Sequence, residues 1–260
     1  MRRCLAFLAM LLSATAAQAY VHTETVEYNE GGAVLKGYLA YDEGHVSGKR
    51  PGVLVVPEWW GLNDYARTRA DDLARMGYVA FAADMYGDGT VAKTMDEAAT
   101  LAGKFKKNRQ LMRNRVYAAL NVLRDNPLVD PKRVAAIGYC FGGTTVLELA
   151  RNGARINGVV SFHGGLDTPN PADAQNIKCK VLVCAGANDP FVPPEQVTAF
   201  EKEMRDANVD WQLDVYGGAV HSFTNPDSGN DPSKGIAYNE EADKRSWNAM
   251  KEFFAEIFKQ

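Results

Sequence analysis

Residues 134–143 read Val-Ala-Ala-Ile-Gly-Tyr-Cys-Phe-Gly-Gly. The opening run, Val134 to Ile137, shows no polar alternation, which fits a strand covered on both faces. Thr144 to Ala150 then reads as a helix. The turn between them, Gly138-Tyr139-Cys140-Phe141-Gly142, is G-x-C-x-G. It matches the strand–turn–helix elbow G-x-S-x-G with sulfur in place of oxygen. The glycines have a steric reason, because larger side chains would collide where strand and helix cross. The turn sets Cys140 at a helix N-terminus, where the partial positive charge favours a thiolate. The Phe141 N–H is then free to act as an oxyanion donor. The pattern alone does not separate this reading from a buried structural cysteine in a glycine-rich turn.

The surroundings of the turn point to an α/β fold. Strands are predicted over 34–41, 52–57, 78–83, 133–139, 158–162, 180–185 and 211–216. Amphipathic stripes lie between and after them. Ala66, Ala70 and Leu73 share one helix face, with Gly77 as the stop. Met112, Val116, Ala119, Leu120 and Leu123 form a second stripe before Pro127, and Trp247, Met250, Phe254 and Ile257 form a third. Such alternation implies a mostly parallel central sheet with helices on both faces. Ligands bind such sheets at the carboxyl ends of the strands, which is where Cys140 falls.

An elbow nucleophile needs an acid and then a histidine later in the chain. Asp189, in the turn Asn188-Asp189-Pro190 after Val181-Leu182-Val183, supplies the acid. His221 follows the strand 211–216 and supplies the base. Of the 4 histidines, His22 and His45 lie in the N-terminal region, and His163 follows another strand, where it could line the site.

Met1-Arg2-Arg3, the apolar run Leu5 to Leu12 and the small-x-small signal Ala17-Gln18-Ala19 read as a secretory signal peptide over 1–19, cut after Ala19. Residues 20–260 then form a single domain. The expected location is secreted or periplasmic, with no stable membrane association after cleavage. The net charge is −3 and no basic stripe exists, which argues against nucleic acid as a partner. Cys140, Cys179 and Cys184 survive cleavage, and an odd number leaves at least one thiol free. Cys179 and Cys184 read as buried core residues, and with the scattered histidines they show no metal-ligand spacing. No metal or cofactor is therefore expected. The sequence is silent on oligomeric state.

From about Arg50 to the C-terminus the sequence resembles the dienelactone hydrolase family of α/β-hydrolases. The resemblance rests on Gly138 to Gly143, on Asn188-Asp189-Pro190-Phe191-Val192-Pro193, on His221-Ser222-Phe223, on Pro57-Glu58-Trp59-Trp60-Gly61 and on Asp84-Met85-Tyr86. It implies an α/β-hydrolase fold, a Cys140–Asp189–His221 triad, and a Glu58 that contacts the resting thiol and takes part in its activation. It implies Trp59 N–H as a second oxyanion donor beside Phe141, and Tyr86 and Trp60 as substrate-contacting residues. The chain also departs from the family. Asp88 and Asn225 stand where the dienelactone enzymes hold a substrate carboxylate with arginines. Arg109, Arg113 and Arg115 fit a solvated helix face better than a substitute for that pair.

The expected function is cysteine-dependent hydrolysis of a small ester or lactone through an acyl-enzyme. Two other classes stay open: a thiol redox or peroxide-sensing protein, and a non-catalytic binding protein on the same fold.

Overall fold

The computed structural model describes residues 20–44 and 48–259. The expected signal peptide, residues 1–19, lies outside the described residues. An eight-stranded sheet runs in the order β1-β2-β4-β3-β5-β6-β7-β8. The strands are β1 (Val21–Glu30), β2 (Ala33–Asp42), β3 (Arg50–Val56), β4 (Val79–Ala82), β5 (Val129–Tyr139), β6 (Gly158–Phe162), β7 (Lys180–Gly186) and β8 (Trp211–Tyr216). β1 pairs antiparallel with β2, and β2 with β4. From β4 to β8 every neighbouring pair is parallel.

The apolar strands are sorted by alternation, even though both faces are covered. Leu54, Val56, Val134 and Ala136 point into a core shared with α2 (Met95–Lys107), α3 (Arg109–Asp125), α4 (Phe141–Arg151) and α5 (Pro194–Asp206). Val53, Val55, Ala135 and Ile137 point the other way, against α1 (Asp64–Arg75) and α6 (Glu240–Ile257). Each fully buried Val, Leu or Ile contributes roughly 1.5–3 kcal/mol, so β3 and β5 anchor both layers. The three predicted helical stripes all face the sheet. Ala66, Ala70 and Leu73 are buried on α1, Met112 to Leu123 on α3, and Met250, Phe254 and Ile257 on α6.

The first strand was not foreseen. Val26 and Tyr28 are its apolar anchors on one core and Val21 packs on the other, and the rest of its sequence is polar. An edge strand needs little more, and it is held by ten cross-strand partners on β2. β5 also starts earlier than its apolar run. Val129 pairs with Arg50, and an irregularity separates that contact from the regular ladder at Val134.

Cys140, Cys179 and Cys184 are all unpaired. Cys179 and Cys184 are buried, and burial pushes the Cys179 thiol up to about 12 and raises that of Cys184 as well.

Candidate active site

The elbow is built as its glycines require. Cys140 has φ 51° and ψ −113°, a conformation held between the end of β5 and the first turn of α4. Such a backbone costs on the order of 1–3 kcal/mol and persists only where its surroundings over-determine it. A Cβ on Gly138 would lie 2.0 Å from the Gly142 carbonyl oxygen, and one on Gly142 would lie 2.1 Å from that of Val56. Any side chain at either position would push α4 off the sheet and move the thiol.

Asp189 follows β7 and is 5% exposed. Its Oδ1 accepts from the Phe191 N–H at 2.8 Å, which aims Oδ2 at His221 Nδ1, also at 2.8 Å. His221 is fixed along its backbone by Gly235 and Ala237, and its Nε2 lies 3.0 Å from Cys140 Sγ. The structure thus brings Cys140, His221 and Asp189 into one continuous line. Burial alone would lower the His221 pKa. The contacts with the Cys140 sulfur and with Asp189 outweigh it and push the imidazole up to about 10.

Glu58 takes a different partner from the one the resemblance implied. Its carboxylate is 2% exposed and accepts from Ser222 Oγ at 2.5 Å and Asn225 Nδ2 at 2.7 Å. Among the described residues it makes no hydrogen bond to the thiol, whose position beside a base is taken by His221. Burial raises the Glu58 pKa, against the opposing pull of its two donors and of His221 and Arg69. Asn225 therefore serves as a buried donor to Glu58.

The N–H groups of Trp59 and Phe141 have no hydrogen-bond acceptor among the described residues. Tyr86 donates to the Trp59 carbonyl at 2.7 Å and packs its ring 6.0 Å from that of Phe141, tying both sides of this corner together. Trp60 stacks edge-on against Trp59, with ring centres 5.3 Å apart. The Asp84 carboxylate, fully buried, gathers the N–H groups of Lys36, Tyr86, Gly87 and Gly89 and so shapes the turn that delivers Tyr86.

Asp88 is exposed and paired with Lys36 at 2.5 Å. The expectation of a solvated face for Arg109, Arg113 and Arg115 fails. Arg115 is 5% exposed and bound to Glu30 and the Met85 carbonyl. Arg113 reaches the fully buried Glu148 and also Asp173, while Arg109 holds Asp167. Arg113 and Arg115 reach α4 and β1, where buried carboxylates demand partners, whereas the partner of Arg109 is the exposed Asp167. None is a free cation.

His163 was named only as a residue that could line the site. It is 1% exposed, with Nδ1 accepting from the Cys140 N–H at 3.2 Å and Nε2 lying 2.7 Å from Thr224 Oγ1. The signal was its place at the end of β6, the strand next to β5.

The dienelactone hydrolase family model matches residues 35–258. The chain belongs to the dienelactone hydrolase family. It is accordingly a dienelactone hydrolase-like carboxylic ester hydrolase on an α/β-hydrolase fold. It is 30% identical over 238 residues to "Protein usf" of Aquifex pyrophilus, covering 90% of this chain and 98% of that one. It is 30% identical over 207 residues to a protein of Aquifex aeolicus (strain VF5) named "Putative carboxymethylenebutenolidase", covering 78% and 87% of the two. Among solved structures, the dienelactone hydrolase-like promiscuous phosphotriesterase P91, from metagenomic libraries, superposes with a TM-score of 0.88 at 46% identity, covering 93% of this chain and 100% of that one.

Proposed function

We propose that this family member is an exported cysteine hydrolase of neutral esters or lactones that works through an acyl-enzyme. The observation that carries the reading is the Sγ–Nε2 contact at 3.0 Å, continued to Asp189 at 2.8 Å, with the sulfur at a strained elbow. His221 Nε2 takes the thiol proton, and Asp189 fixes the tautomer and steadies the imidazolium. The sulfur attacks the carbonyl carbon, forming the C–S bond, and the oxyanion receives the Trp59 and Phe141 N–H groups. Collapse expels the alkoxide, which takes the proton from Nε2–H. Water then gives a proton to Nε2 and attacks the thioester, and the thiolate leaves. Glu58, held in reserve by Ser222 and Asn225, tunes thiol ionisation through its charge near His221.

The preference for neutral substrates is supported by Asp88, a carboxylate already paired with Lys36, and by Asn225, engaged with Glu58. Neither offers a cation to a substrate carboxylate. Neutral phosphotriesters form a second substrate class, favoured by the likeness to P91 at 46% identity, with the same thiolate attacking phosphorus. Export is supported by the sequence pattern of Met1 to Ala19. N-terminal sequencing of the mature protein should begin at Tyr20, and an intact Met1 would refute it.

The test is hydrolysis of p-nitrophenyl butyrate by wild type and Cys140→Ala. Loss of at least about three orders of magnitude in kcat is expected. Turnover by folded Cys140→Ala close to that of wild type would remove the thiol from the mechanism.

A further inference from the structure

Resting on that reading of Cys140 and His221, we propose that His163 is a positioning residue, a neutral imidazole brace that sets the distance between nucleophile and base. Cys140 and His221 sit on separate segments, the β5–α4 elbow and the loop after β8. Their 3.0 Å contact needs something to lock the two segments together. His163 touches both. Its Nδ1 accepts from the Cys140 N–H at 3.2 Å, a bond that this N–H shares with the Phe162 carbonyl at 3.0 Å. On its other side, Nε2 meets Thr224 Oγ1 at 2.7 Å, three residues after His221 in the same loop.

The hydrogen bonds assign the tautomer. A backbone N–H can only donate, so Nδ1 carries the lone pair and the proton sits on Nε2. Nε2–H then donates to Thr224 Oγ1. Thr224 is itself clamped, by Tyr65 OH at 2.6 Å and, through its carbonyl, by Arg69 at 2.7 Å. The brace therefore runs from the strained elbow to α1. The charged and titratable groups around the ring agree with a neutral form. His221 stands edge-to-face at 5.4 Å, Tyr139 at 6.1 Å, and Arg69 lies beyond Thr224. Burial, His221 and Arg69 all hold the His163 pKa well below the usual histidine range. Neutrality matters here because His221 becomes an imidazolium during turnover, and a second cation at this distance would oppose it.

The position also explains the residue type. His163 has φ 40°, a left-handed conformation in which His and Asn are enriched and bulky apolar residues are strained. Asn can present its Oδ1 where Nδ1 lies and keep the acceptor for Cys140, whereas Phe can neither accept nor donate.

The test compares His163→Phe, His163→Asn and Thr224→Val with wild type and Cys140→Ala on p-nitrophenyl butyrate, with Cys140 alkylation by iodoacetamide followed against pH. His163→Phe should lose roughly 10- to 100-fold in kcat with KM little changed, the scale of a misplaced reacting group. Its alkylation profile should shift, since thiolate and imidazolium no longer meet in register. His163→Asn should recover most of the kcat loss. Thr224→Val, which leaves the elbow and His163 in place, should move kcat in the same direction and keeps the test decisive if His163→Phe does not fold. Wild-type kcat and alkylation profile in folded His163→Phe or in Thr224→Val, with Cys140→Ala inactive, would overturn the brace and leave the thiol mechanism standing. An active Cys140→Ala would overturn both.

Discussion

Removing the Ser222 hydroxyl isolates the electrostatics of the buried carboxylate. Glu58 is 2% exposed and accepts two side-chain hydrogen bonds, from Ser222 at 2.5 Å and Asn225 at 2.7 Å. Ser222→Ala deletes one of them, together with the acceptor of the Ser228 hydroxyl at 3.0 Å, and leaves lone pairs of a desolvated carboxylate unpaired. A hydrogen bond to a charged group is worth about 1.5–3 kcal/mol, and each kcal/mol shifts Tm by about 2–4 °C in a chain of this size. The expected loss at pH 8 is therefore roughly 3–12 °C. The loss should depend on pH in a defined direction. Burial already raises the folded pKa of Glu58 above 4.5, so its stability contribution is complete below that value and falls as pH rises through the folded pKa. Without Ser222 the folded pKa rises further, so the variant goes on losing stability over the pH interval above the point where wild type levels off. The gap between the two opens across that interval and stays open above it. At pH 4 the carboxyl is protonated in both, and only a neutral hydrogen bond of about 0.5–1.5 kcal/mol separates them. Thermal melts by circular dichroism at pH 4 and pH 8 measure both gaps. Equal losses at the two pH values would refute the buried-carboxylate account of Glu58.

Other expectations follow from the same geometry. His221→Ala should lower kcat by roughly three to six orders of magnitude while the protein folds, as for residues that act as a unit; near-normal turnover would exclude His221 as the base. Gly142→Ala places a Cβ 2.1 Å from the Val56 carbonyl oxygen. It should destabilise by about 1–3 kcal/mol, lower kcat more than the fold loss explains, and be checked by urea titration beside the ester assay; a neutral outcome would show that α4 can move off β3. Between p-nitrophenyl esters of equal length, the one ending in a carboxylate should show a kcat/KM at least about tenfold lower, because charged partners worth about 1.5–3 kcal/mol each are missing. A preference for the anionic ester would show that another cation reaches the substrate.

The legible parts of this chain are those where one physical demand dominates. β5 announces itself because residues buried on both faces cannot be polar, and the elbow because two backbones approach at Gly138 and Gly142. Asp189 and His221 are readable from their order at strand ends. β1 is hidden because an edge strand with Val26 and Tyr28 as anchors resembles a polar loop. Arg113 and Arg115 look like a solvated stripe because their partners, Glu148 and Glu30, lie 35 and 85 residues away. His163 and Ser222 belong to the same class. Each acts through a contact between separate segments, Cys140 to His163 and Glu58 to Ser222, and no local pattern encodes it. Even Asn225, singled out as a missing arginine, gains its role only when the fold sets it against Glu58.

The central claim is that the substrate's acyl group passes through the sulfur of Cys140. The direct measurement is mass spectrometry of enzyme acid-quenched during turnover of a p-nitrophenyl ester with a bulky, slowly released acyl group. The intact mass should increase by one acyl group, and peptide mapping should place it on the fragment containing Cys140, with a stoichiometric burst of p-nitrophenolate. Ester turnover with the acyl mass on another residue, or with neither burst nor adduct, would contradict the account.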